Sequence, residues 1–81
     1  MKLWRISQDV NNGYDTYSDA VVAAETEEEA RMIHPSGKEN WNGKAGEFSC
    51  WCNVTQVKVY MIGIAREGIK KGLICTSYHA G

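Results

Sequence analysis

Four residues stand out as soft metal ligands: Cys50, Cys52, Cys75 and His79. On strands, residues two or four apart face the same side, so Cys50 with Cys52, and Cys75 with His79, could each share a face. Two such pairs on neighbouring strands would suit tetrahedral zinc. The spacing speaks against it. Structural zinc sites leave about two to four residues between cysteines so that a turn wraps the ion, whereas Cys50-Trp51-Cys52 leaves one. We therefore read the cysteines as small buried apolar side chains, with no metal or other cofactor expected. A nucleophilic thiol at Cys75 would need His34 or His79 within hydrogen-bond reach, and nothing in the sequence places either there. His34 instead suits the C-terminal end of a helix, where a donor or cation meets exposed carbonyls. Lacking an organised acid, base and oxyanion-donor set, the chain is expected not to be an enzyme.

Gly37-Lys38 and Gly43-Lys44 invite comparison with phosphate loops. The P-loop, however, needs Ser or Thr after its Lys and a helix to follow, and Ala45 stands at that place. A looser reading survives, in which Lys38, Asn40, Trp41, Asn42 and Lys44 line a small anionic or base-stacking site. Tyr14, Asp15, Tyr17 and Trp41 lie among Asn, Asp, Gly and Ser, where aromatic side chains serve as interface anchors. The candidate binding residues are thus Tyr14, Asp15, Tyr17, Trp41, Asn42 and Lys44. For Trp41 the competing reading, an indole folded back over an open sheet, weighs more. For the two tyrosines the readings balance, and Trp4 and Trp51, in strand-like segments, are expected in the core.

Short elements must position these groups. Residues 2–8 alternate as a first strand, residues 9–18 form a turn or functional loop, and Asp19 to Ala24 is a short apolar strand. Thr26 to Glu29 has the form of a capping box and opens a helix over residues 27–34, stopped by Pro35. Two turns of helix cannot stand alone in water, so this one must dock on a sheet. A long glycine-containing loop over 35–47 precedes a β-rich run from Phe48 to Ala65. Within that run the apolar parity changes at Gly63, which predicts a bulge or a strand buried on both faces. Residues 66–72 read as a polar hairpin connection and 73–78 as the last strand. The fold class is α+β: a single small antiparallel or mixed β-sheet of about four to five strands with one short helix packed on a face. Strand order is not legible.

The chain has 81 residues, nine Lys and Arg against ten Asp and Glu, 43% hydrophobic residues and 23% charged residues. That is one soluble domain over residues 1–81, too apolar and too neutral for disorder. It lacks the cationic surplus of a charge-driven nucleic-acid binder and the dense acidity of a DNA mimic. No apolar run suits a membrane span or a signal segment, so a cytosolic chain with free thiols is expected. The neutrality is uneven. Residues 1–40 hold four basic and eight acidic residues, net −4; residues 41–81 hold five and two, net +3.

The stretches Asn12-Gly13-Tyr14-Asp15-Thr16-Tyr17, Ala20-Val21-Val22-Ala23-Ala24-Glu25, Glu28-Glu29-Ala30-Arg31 and Ile33-His34-Pro35 resemble those of short phage- and prophage-encoded proteins. The resemblance continues through Val57, Val59, Ile62-Gly63, Ala65 and the closing segment 72–81. The order of elements is also similar to that of some small anti-CRISPR proteins. The resemblance implies an accessory protein that acts by binding in the host cytosol, first as an inhibitor of a bacterial defence protein through loop anchors. The alternative is an oligomeric sponge for a nucleotide signal; a structural phage component is the third reading. A core this small also implies completion by a partner, a second copy of the chain first of all.

Overall fold

The computed structural model describes residues 1–10, 16–37, 41–44 and 50–79, the last three as backbone only. Four strands form one antiparallel sheet: β1 (Lys2–Ser7), β2 (Thr16–Ala24), β3 (Lys58–Ile64) and β4 (Gly72–His79), in the order β3-β1-β2-β4. One helix, α1 (Glu27–Arg31), and a 3-10 turn at Val54–Gln56 complete the described elements. The expected α+β class is therefore observed, with an all-antiparallel sheet.

β1 and β2 take the centre because their alternation supplies one apolar face. Trp4 lies opposite Val22 and Ile6 opposite Ala20, and all four are buried with Ala24, Ala30, Trp41, Trp51, Cys52 and Val57. The Trp4 indole N–H donates to the Ala24 carbonyl (3.0 Å), so that ring buries its apolar area without stranding its donor. Ile6, Val22 and Trp51 are almost wholly enclosed, each contributing about 1.5–3 kcal/mol or more by removal from water.

Bulges interrupt the alternation. On β3, Met61 lies opposite Trp4 but Gly63 opposite Leu3, leaving Ile62 as the extra residue. The parity change at Gly63 thus marks a bulge one residue earlier. The alternative, a strand buried on both faces, is not what forms: β3 is an edge strand. On β4 the extra residue is Ile74, which turns Leu73 towards the core and Cys75 to the opposite face. On β2 it is Ser18, and Tyr17 packs against the core rather than sharing the side of Asp19.

Other expectations are corrected. Residues 66–72 are not a hairpin connection, because β3 and β4 lie at opposite edges of the sheet. The segment crosses the ends of β1 and β2, a span of about 14 Å at the usual strand spacing. Its start is fixed where the Ala65 N–H donates to the Met1 carbonyl (2.8 Å). β2 begins at Thr16, earlier than Asp19, and residues 50–57 are not strand. The helix ends at Arg31 rather than at residue 34. Met32 and Ile33 donate to the Glu29 and Ala30 carbonyls, tightening the last turn before Pro35. Half of the capping box forms: the Glu29 N–H donates to Thr26 Oγ1 (3.2 Å), but the Glu29 carboxylate accepts from Glu25 N–H (3.0 Å), not from Thr26. Arg31 pins the helix to the chain entering β3 by donating to the Val57 carbonyl while pairing with Glu27 (2.9 Å).

Candidate functional site

Of the six candidate binding residues, Tyr14 and Asp15 lie outside the described residues, as do Lys38 and Asn40 of the looser anionic reading. The other four divide. Trp41 is buried (9% exposed) and belongs to the core cluster, and Tyr17 is half-buried against it. The His34 ring lies edge-on to both, with centroids 6.1 Å from Tyr17 and 5.3 Å from Trp41. His34 is buried beyond the helix, and its Nδ1 accepts the Ser36 N–H (3.1 Å) and lies 2.7 Å from Ser36 Oγ. His34 Nδ1 thus serves the turn that follows rather than a helix carbonyl.

Residues 41–44 form a tight turn that plugs the indole inward. Trp41 Nε1–H donates to the Lys44 carbonyl (3.1 Å), and Asn42 Oδ1 accepts the Lys44 N–H (3.0 Å). Gly43 has φ +81°, a left-handed conformation, and a Cβ there would stand 3.1 Å from the Val54 side chain. Asn42 and Lys44 are exposed, whereas Trp41, although mostly buried, also lines the groove between α1 and β4 described below.

Among the described residues, the candidate metal ligands are not brought together as the strand reading required. Cys50 and Cys52 are off the sheet, and Cys52 is in the core. Cys75 is exposed on the far face of β4, beside the Arg5–Asp19 ion pair (2.9 Å), in a shallow pocket of about 200 Å³. The side chain of His79 lies outside the described residues. Among the described residues no three His, Cys, Asp or Glu converge as metal ligands. Burial pushes the Cys52 thiol up to about 11, with the Asp9 charge a smaller cause. It is neutral and unreactive at ordinary pH.

Two surfaces that sequence reasoning did not single out are more prominent. The first is a groove of about 960 Å³ between α1 and the start of β4. Met32, Ile33, Leu73 and the candidate residue Trp41 line it between two charged banks, Glu28 and Glu29 on one and Lys70 and Lys71 on the other. The second is the edge strand β3. Tyr60, Met61, Ile62 and Ile64 are 53%, 55%, 52% and 69% exposed, four large apolar side chains within five residues. Lys58, at the start of this strand, pairs with Asp9 (2.7 Å). That contact lowers the Asp9 carboxyl and raises the Lys58 ammonium, by hydrogen bond first and charge second.

Comparison with protein-family models, with curated proteins and with solved structures finds no match for this chain. Among the described residues no helix is long and apolar enough to cross a membrane. The β3 surface had one legible signal, the run Tyr60-Met61-Ile62 with its parity change, but nothing in the sequence marked β3 as an edge.

Proposed function

We propose that the chain is a phage-type accessory protein that acts by binding, inhibiting a bacterial defence protein through protein–protein contacts in the host cytosol. We further infer that it works as a dimer of identical chains. The observation that carries the binding reading is the exposed apolar segment on β3, whose outer edge pairs with no strand among the described residues. A free edge offers unpaired backbone donors and acceptors to an incoming strand, while Tyr and Met are side chains that protein interfaces enrich. The bulge at Ile62 limits regular pairing to the Lys58–Met61 half. This favours a discrete partner over open-ended sheet growth. The kind of partner follows from the phage resemblance of Asn12 to Tyr17 and of the later matching stretches. The dimer reading follows from the size of the core, which a second copy would extend.

Strand addition is preferred to the loop-anchor version for the described residues, since Trp41 and Tyr17 pack against the core while Tyr14 and Asp15 lie outside the described residues. A nucleotide sponge is less favoured, because in the groove large enough for such a ligand the repulsion of phosphate by Glu28 and Glu29 offsets its attraction by Lys70 and Lys71. The test is phage plaquing on bacteria with an active defence system, with and without expression of the chain. Plaquing should rise with the natural chain and return to baseline with Met61→Lys/Ile62→Lys, a variant of surface positions that keeps the fold. No rise on any defended host, or an equal rise with the variant, overturns the proposal.

A further inference from the structure

The groove between α1 and β4 has opposite charges on its two banks, and that arrangement has a symmetry consequence. Glu28 is exposed on the α1 bank, and Lys70 and Lys71 are exposed on the crossover bank. None of the three forms a salt bridge among the described residues. Between them lie Ile33 and Leu73, both half-buried, and Met32, which is 42% exposed. A second copy turned about a two-fold axis across the groove would set like charge on like. A two-fold axis running along the groove exchanges the banks, so that each acidic bank meets the partner's basic bank and the apolar floors face each other.

We propose that this groove is the self-association surface of the chain, closed by a second copy in a two-fold dimer in which Glu28 faces the partner copy's Lys70 and Lys71. The proposal rests on the dimer reading above and assigns its surface. Charge complementarity is what selects the occupant. A uniformly acidic or basic ligand satisfies one bank and is repelled by the other, whereas a second copy of the chain carries both signs. The unbranched Met32 side chains, one from each copy, are suited to fill the irregular space between two facing grooves. The arrangement also leaves β3 free, because β3 lies at the other edge of the sheet from β4.

Sedimentation equilibrium of the full chain, across protein concentration and salt, tests this with two charge-reversal variants whose folding is checked by circular dichroism. The natural chain should be a dimer that weakens as salt rises. Glu28→Lys alone and Lys71→Glu alone should each raise the dimer dissociation constant about tenfold or more, since each sets like charges across the axis. An equimolar mixture of the two variants should form a heterodimer near natural affinity, because both bank pairs are then opposite again. An effect inside one chain cannot produce that rescue. Unchanged affinity in the single variants, or no heterodimer on mixing, overturns the groove assignment. If dimers persist there but are lost with Met61→Lys, the dimer reading stands and its surface is β3. A natural chain that is monomeric throughout overturns both.

Discussion

The helix side of the sheet and the β3 edge are built from the same kinds of residue and end in opposite states. Trp4, Ile6, Val22 and Trp51 are enclosed, whereas Tyr60, Met61, Ile62 and Ile64 are more than half exposed. Hydrophobicity does not separate them; position in the sheet does. β1 and β2 have neighbours on both sides and a helix above them, while β3 has β1 on one side and no described strand on the other. Apolar surface in the centre is buried by the fold, and the same surface at the edge is left for a partner.

The contrast gives graded expectations for stability. Trp51→Ala should cost about 3–5 kcal/mol, enough to unfold most of a domain this small, read as the loss of a cooperative urea transition. High pH should act next, through Cys52. The unfolded thiol ionises near 9 while the folded one holds its proton to about 11. Stability is therefore unaffected below pH 9 and falls by up to about 3 kcal/mol as pH rises through that window. The exposed Cys75 should alkylate at pH 8 in the folded protein while Cys52 does not. Mass spectrometry of the labelled chain and urea titrations at pH 8 and pH 10.5 check both. Gly43→Ala should cost about 1–2 kcal/mol, combining the left-handed backbone with the close Val54 contact, and should red-shift Trp41 emission if the turn opens. At the far end of the scale, Met61→Lys should change stability by less than about 0.5 kcal/mol. A Met61→Lys cost comparable to that of Trp51→Ala would mean that β3 is buried in the protein as it exists in solution.

Much of the architecture was legible because it depends on neighbours in sequence. The alternation of Leu3 to Ile6, the Thr26 cap and the stop before Pro35 use interactions spanning a few residues, and each is present in some form. The core placement of Trp4, Trp41 and Trp51 also follows from how little core a chain of 81 residues can assemble. The site was far less legible. Loop aromatics looked like anchors because loops usually face water, yet the 41–44 turn carries its indole inward and Tyr17 is aimed at His34. Residues 66–72 looked like a hairpin because a short polar link most often joins neighbouring strands.

By itself, then, the sequence determined the composition of the core, the existence of the strands and the helix, and the uneven charge of its two halves. Alternation, capping and net charge are properties of short stretches or of the whole composition. Only the tertiary structure decided that β3 is an edge and that bulges at Ser18, Ile62 and Ile74 reassign side chains between faces. It also decided that Glu28 and Lys71, from opposite halves of the chain, form the two banks of one groove. Those outcomes depend on strand order and register, which are fixed by the joint burial of all four strands against one helix and three indoles, a balance no single segment contains.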